Sequence, residues 1–522
     1  MINSGQIPEE EKTPLVMELL HLVQQLTEDN QRLKDEIARL KEHKGKPKIP
    51  PSRLEKDPKD KQKKKPKGKR PGSKKRKKTK KLTIHETISI PPKGIPPDST
   101  RTGHDDWIVQ GLKIELYNVC YRRECWITPE GKSIKGKLPD SVDGHFSATL
   151  RSFILQQYNH GHVTQPLIWE ELVDLGVDIS KGQVSRILTE QKEDFHLEKE
   201  GVLCAGLDVS DYINVDDTGA RHAGKNGYCT HIGNEFFAWF ESTGSKSRIN
   251  FMELLRKGHG DYVINDDAIE YIKRQSFPQP LLALLATDAD KHFETKKDWL
   301  QHLGRLTITK KRHVRIATEG ALLGSVLYHG FSKEMVILSD DAGQFNILLH
   351  ALCWIHAERT IHKLIPCSEQ EGKAIDDIRD RIWQLYRDLK AYKQAPDEKA
   401  KTDLEKCFDE IFATQTCSEV LNAALRRLGN NKEELLMVLN RPDIPLHNNL
   451  SERDIREYVK KRKISGSTRS DAGRRCRDTF TSLKKTCRKL GLSFWDYLYD
   501  RVSKAAKIPP LPDLIRARAR PS

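Results

Sequence analysis

Residues 61 to 81, KQKKKPKGKRPGSKKRKKTKK, carry fourteen lysines or arginines and no acid. Like charges at this density cannot be gathered into a core, so the run stays solvated and divides the chain. Whatever precedes it must find its own partner, and whatever follows must fold by itself. This one segment accounts for most of the formal charge of +16. Its composition suits an arm for a polyanion, most simply the phosphates of DNA or RNA. A solvated tail or a localisation signal would have the same composition.

Ahead of the run, Val16, Leu19, Val23, Leu26, Asn30, Leu33, Ile37 and Leu40 alternate three and four residues apart. That is the a/d spacing of a coiled coil, and Asn30 at an a position favours two parallel strands. A coiled-coil dimerisation helix over 1–42 and a disordered basic arm over 43–81 are expected, giving a homodimer or higher oligomer. No window of about 18 apolar residues exists, so no membrane partner is expected. The N-terminus lacks a basic stretch followed by an apolar one, so no secretory signal is expected. Ten scattered cysteines fit a reducing cytoplasm.

At 522 residues with 37% apolar content, the rest is long enough for several packed units. LTIHETISI and LKIELYNVCYRRECWIT predict a small β module over 82–143. Cys120 and Cys125 lack a second Cys or His pair nearby, which disfavours zinc. Three helices follow over 144–200. The second ends at Gly176, and after a tight turn a third starts at Ser180, the arrangement of a helix-turn-helix DNA-binding domain. Its last helix, for the major groove, carries Lys181, Gln183, Ser185 and Arg186. From 201 strands and helices alternate, which makes the chain a multidomain α/β protein. Residues 366 to 440 are almost wholly helical, and two more helices close the chain.

Paired aspartates punctuate the α/β part in INVDDTG, VINDDAI and ILSDDAG. Asp266–Asp267 precede a helical run and suit a helix start. Asp216–Asp217 and Asp340–Asp341 instead end apparent strands, where α/β folds place their chemistry. Carboxylates gathered there repel, and a divalent cation relieves that. Two Mg²⁺ ions about 3.5–4 Å apart would serve phosphodiester chemistry. Glu452 offers a third acid in the first turn of a helix that also carries Arg453, Arg456, Lys460, Lys461, Arg462 and Lys463, suited to phosphate.

VDDTGAR, GKNGYCTHIG, ILSDDAGQF, CWIHAER and HNNLSERDIREYVKKRK, in this order, resemble the DDE transposases of bacterial insertion sequences, most closely the insertion-sequence sixty-six family. The resemblance implies Asp216, Asp340 and Glu452 as catalytic residues and metal ligands. Asp217 stands where the family has Glu, and Asp341 where Gly is usual, so each pair offers a substitute ligand. The resemblance makes Cys353 and His356 a structural motif at the entrance of a helical insertion, and a zinc reading of C-x2-H is disfavoured. Asp340 and Glu452 stand 112 positions apart, so the insertion interrupts a ribonuclease-H-like fold. The expected layout is a catalytic domain over 201–360, the insertion over 361–440, the Glu452 part over 441–505 and a tail over 506–522. Lys257 to Glu334 reads as a further insertion.

The function implied is a DNA transposase that binds terminal inverted repeats, hydrolyses the 3′ ends and joins the 3′-hydroxyl to target DNA. It would use two Mg²⁺ ions, with Mn²⁺ able to substitute. Its partners would be double-stranded DNA, at element ends and target, and helper proteins from the same element. It would sit in the cytoplasm with the nucleoid. A catalytically dead, transposase-derived repressor and a ribonuclease-H-like nuclease are the alternatives. A tyrosine or serine recombinase lacks its nucleophile amid an Arg/His cluster.

Overall fold

The computed structural model describes residues 83–91, 94, 96, 98–100, 103–139 and 144–519. The expected zipper and basic arm lie outside the described residues. The chain forms two units, Met1–Leu112 and Lys113–Ser522. In the first, the described residues are exposed and form no helix or strand, so no strand forms in the described residues of LTIHETISI. In the second, the β module reduces, among the described residues, to one exposed hairpin, β1 (Cys125–Ile127) with β2 (Ser133–Lys135). Alternating apolar residues make a strand only where a partner completes the ladder.

Three helices follow: α1 (Ala148–Asn159), α2 (Gln165–Asp174) and α3 (Lys181–Thr189). Gly176 turns the chain after α2 at φ +85°, a left-handed conformation that glycine adopts without strain. Ser180 then caps α3 by accepting from the Gln183 amide at 3.1 Å. Trp169 Nε1 donates to Ile179 O at 2.9 Å and so fixes the turn between the two helices. These helices are not a separate body. Ile154, Leu172 and Val184 belong to the same core as Phe480, Leu498 and Ile515. The residues expected to be a tail contain helix α19 (Leu511–Ala519), which buries Leu511 and Ile515 against α4 (Glu193–Asp208).

At the centre lies a five-stranded mixed sheet of β3 (Tyr212–Gly219), β4 (Tyr228–Gly233), β5 (Ala238–Thr243), β8 (Val336–Ser339) and β9 (Leu349–Leu352). Its order is β5-β4-β3-β8-β9. The first two pairings are antiparallel, and β3, β8 and β9 run parallel. Helix α17 (Asp471–Lys489) covers the β5 edge. Asp478 Oδ2, Ser482 Oγ and Thr486 Oγ1 accept from the amides of Ser242, Phe240 and Ala238 at 2.9, 2.9 and 3.2 Å. Four helical residues rise about 6 Å and two strand residues about 6.6 Å, so the two periods match along the edge. An edge that would recruit another strand is thereby closed.

Two insertions interrupt this frame. Between α5 (Arg248–Leu255) and β8 come β6 (Tyr262–Val263), α6 (Asp266–Arg274), α7 (Gln279–Thr287), β7 (His292–Phe293), α8 (Lys296–Arg305) and α9 (Lys311–Tyr328). Asn265 caps α6 and Asp266 and Asp267 occupy its first turn, as the sequence suggested for that pair. After β9 comes α10 (Trp354–His362). The helical insertion follows: α11 (Glu369–Tyr392), α12 (Glu398–Phe412), α13 (Glu419–Gly429), α14 (Lys432–Leu435) and α15 (Met437–Asn440). The chain returns to the sheet in α16 (Asn449–Ser465), then α17 and α18 (Phe494–Ser503). No described helix is long and apolar enough to cross a membrane.

Asn448, 1% exposed, fastens that return. Its Nδ2 donates to Val215 O and its Oδ1 accepts from Asn214 Nδ2, both at 2.8 Å. Asn448→Ala would strand a buried carbonyl and a buried amide. A loss of about 2–4 kcal/mol is expected, read as a lower urea midpoint at unchanged slope. An unchanged midpoint would rule out this anchor.

Candidate catalytic carboxylate site

β3 and β8 are parallel, with Asn214 level with Leu338. Two residues further along each, Asp340 directly follows β8, whereas Asp216 does not end its strand as expected, because β3 runs on beside β4 to Gly219. Both are partly buried. Glu452, in the first turn of α16, approaches from a third part of the chain. Burial raises the Asp216 carboxyl to about 7, and the charges of Asp340, Asp217 and Glu452 push the same way. The backbone amide of Asp217, donating to Asp216 Oδ1 at 2.7 Å, offsets this only in part. Asp340 Oδ1 is buried and has no hydrogen-bond partner among the described residues.

The second member of each pair is turned elsewhere. Asp217 accepts from Thr230 Oγ1 at 2.5 Å on one oxygen and from Gln344 Nε2 at 2.9 Å on the other. Burial raises its carboxyl, against these two bonds and the Lys246 ammonium. Asp341 is exposed and pairs with Arg427 on α13 of the helical insertion. The loop that carries these residues is anchored on both sides. Phe345 is buried edge-on against Phe251, with ring centroids 4.9 Å apart. Arg248 Nη2 donates to Gly343 O at 2.6 Å, while its Nη1 reaches Tyr271 OH at 2.9 Å.

Cys353 and His356 flank the site at the start of α10. The buried Cys353 Sγ accepts from the Asn448 amide at 3.2 Å, and burial pushes this thiol up to about 11. One turn on, His356 Nε2 lies 3.6 Å and Arg359 Nη1 3.2 Å from Glu452 Oε1. Arg456 meets the other carboxylate oxygen at 3.4 Å. Arg359 is a residue that charge patterning alone did not select. Cys120 and Cys125 are both exposed.

The basic helix α16 splits into two faces. Arg453, Arg456, Lys460 and Lys463 are exposed and fall three or four residues apart, a single outward stripe. Arg462 turns back, donating from Nη1 to Gly219 O and lying 3.3 Å from Thr218 Oγ1. Lys461, read from the sequence as a phosphate contact, is buried instead. Its Nζ donates to Tyr158 O at 2.6 Å above the Tyr158 ring, and burial lowers it to about 7. Beside the buried Ile455 and Tyr458, the inward face carries charged groups. Asp454 meets Lys485 and Lys489, both at 2.8 Å, and Glu457 meets His162 at 2.8 Å and Lys484 at 2.7 Å. His231, 3.3 Å from Asp454, together with the two lysines, and His162 with Lys484 at Glu457, hold both carboxyls well below the usual range despite their burial. Opposite Asp216 in the ladder, buried His231 Nδ1 lies 2.6 Å from Ser451 Oγ, which fixes the turn holding Glu452.

On α3, Lys181 is exposed with its ammonium 4.3 Å above the Trp169 ring. Arg186 donates to Gln183 Oε1 at 2.6 Å, and Ser185 is half-buried. Gln183 and Arg186 line a groove together with Arg151, Lys192 and Arg501.

Residues 309–475 match the family model described as Transposase IS66 family. The match takes in Asp340, the helical insertion and Glu452, and starts beyond Asp216. An uncharacterized protein of Sinorhizobium fredii, y4jO, is 44% identical over 321 residues, covering 61% of this chain and 100% of that protein. With its ordered motifs on one sheet and two helices, the chain belongs to the IS66 family of transposases.

Proposed function

We propose that the protein is a DDE-type DNA transposase on a ribonuclease-H-like sheet, with Asp216, Asp340 and Glu452 as its catalytic acids. One observation carries this reading. Three acids from distant parts of the chain converge beside two neighbouring parallel strands, where burial, with the charges of Asp340, Asp217 and Glu452 added, raises Asp216 to about 7. The sheet order, with β3 central and β4 and β5 antiparallel to the rest, supports the fold assignment.

The donor set fits divalent cations. It offers oxygen alone, from rigid elements, and includes an Asp340 oxygen buried without a partner among the described residues. Asp216, Asp340 and Glu452 would hold two Mg²⁺ ions, or Mn²⁺ in their place. Bound there, the ions would supply activation of the attacking hydroxyl and charge compensation at the scissile phosphate. The chain's own side chains do the positioning. Arg359 and His356 orient Glu452, while Thr230 and Gln344 hold Asp217 aside. Arg453, Arg456, Lys460 and Lys463 present four cations to the DNA backbone beside the acids, which sets register without reading sequence.

Helix α3, ending a helix-turn-helix, would enter the major groove of an element end, with Lys181, Gln183, Ser185 and Arg186 on the element that reads it. The 61–81 arm would add phosphate contacts, and the zipper would bring two ends together. Hydrolysis at the element's 3′ end and joining of the 3′-hydroxyl to target DNA then need no covalent protein–DNA intermediate. The test is strand cleavage and joining of labelled DNA taken from the ends flanking the gene, with Mg²⁺. Nicking at the 3′ ends followed by joined product is expected. Binding without any cleavage would instead support a repressor.

A further inference from the structure

One basic surface enters that account only at its edge, through Lys463. It begins where β3 leaves the carboxylates. His222 and Lys225 close a tight turn through reciprocal backbone bonds of 3.0 and 2.9 Å, with Ala223 at φ +46° and Gly224 at φ +78°. The turn is clamped to the loop after α16. Ala223 N donates to Thr468 O at 2.9 Å, Thr468 N to Arg221 O at 3.3 Å, and His222 Nδ1 lies 2.9 Å from Thr468 Oγ1.

That clamp gathers Arg221 and Lys225 with Lys463 and Arg469, all exposed. Lys246, also exposed, stands over the Tyr228 ring at 5.5 Å, and Tyr228 pairs with Gly219. The one acid seen at the clamp, Asp471, is already engaged by His222 at 3.2 Å and Arg474 at 3.0 Å. Five cations therefore share a ledge on which, among the described residues, Asp471 is already paired and Asp217 acts on Lys246 alone. Such a gathering is unfavourable in isolation and becomes favourable when a polyanion lies across it.

We infer that this ledge is a DNA-backbone site that carries the duplex away from the catalytic acids, and that Arg221 and Lys225 contact its phosphates. The inference rests on the transposase reading above. Strand geometry sets the reach: from Asp217 to Arg221 the chain advances about 13 Å. Duplex DNA carries one charge per about 1.7 Å of axis, so the ledge faces several phosphates. The contacts are to phosphate only, so they add affinity and alignment without sequence preference. The ledge adjoins the site where a strand would be cut, which favours DNA over an acidic protein.

The test uses the full chain and a fluorescently labelled duplex of arbitrary sequence, titrated by anisotropy over a range of salt. Arg221→Ala with Lys225→Ala should weaken binding about tenfold and reduce the slope of log affinity against log salt by about two, near 0.9 per phosphate contact. The exchange Arg221→Lys with Lys225→Arg keeps the charge and should bind as wild type. Removing two exposed cations elsewhere, Arg387→Ala with Lys390→Ala on α11, should leave the slope unchanged. An unaltered slope in the first variant, or equal losses in both alanine pairs, overturns the ledge. A wild-type protein that binds no duplex at all overturns the transposase reading as well, so the two failures are distinguishable.

Discussion

Asp216→Asn, Asp340→Asn and Glu452→Gln are each expected to lower the rate of 3′-end cleavage by a factor of about 10³ or more. That corresponds to at least about 4 kcal/mol of lost transition-state stabilisation. Each exchange keeps size and shape but removes one of the charges that converge on the site. Asp217→Asn and Asp341→Asn are expected to stay within about tenfold of wild type. Both Asp217 oxygens already accept hydrogen bonds, from Thr230 and Gln344. Asp341 points outward to Arg427. Single-turnover cleavage of an element end, with all five variants side by side, decides the matter. A dead Asp217→Asn beside an active Asp216→Asn would shift the ligand by one residue. Equal cleavage by all would remove the carboxylates from the chemistry.

Within the pairs, the family resemblance favoured Asp216 and Asp340, but the residues alone did not decide. A residue's parity along a central strand says little when both faces are buried, so the physical difference between Asp216 and Asp217 came only with the positions of Thr230 and Gln344. Other features were legible because the signal is local. The Asp266 pair follows Asn265 and precedes a strongly amphipathic run, and a cap with acids in the first turn is a helix start wherever it occurs. The alternation past Gly201 likewise foretold the α/β sheet.

Misreadings arose where a partner lay far off in sequence. Lys461 looked like one more phosphate contact, yet its nearest group is the carbonyl of Tyr158 on α1. A signal did exist. Ile455 and Tyr458 mark the inward side of α16, and Asp454, Glu457 and Lys461 share that side at helical spacing, so partners for them were implied. The expected tail held a comparable clue in Leu511 and Ile515, four apart. Conversely, LTIHETISI alternates well but no ladder forms in its described residues, because alternation names a face and not a neighbour.

The raised Asp216 carboxyl makes a second expectation, opposite in sign to the first. An acid held at about 7 when folded and 3.8 when unfolded binds more protons in the native state between those values. Its contribution to stability therefore falls as pH rises from about 4 to 7 and is a cost above 7. The full shift of about three units would correspond to roughly 4 kcal/mol. Relaxation and water entry reduce this, so about 2 kcal/mol is the expected cost at pH 8. Asp216→Asn, inactive by the first prediction, should then melt a few degrees higher than wild type in chelator at pH 8, with the gain shrinking as pH falls and gone by about pH 4. Asp478, buried and also raised to about 7, titrates in both proteins, so the informative quantity is their difference. Added Mg²⁺ should raise the wild-type midpoint at pH 8 and leave Asp216→Asn nearly unmoved, because relief of repulsion requires the repelling charge. A wild type that melts above the variant in chelator at pH 8 would mean that the three acids do not crowd one another. A carboxylate kept at a cost to stability where cations would gather marks a position selected for chemistry over folding.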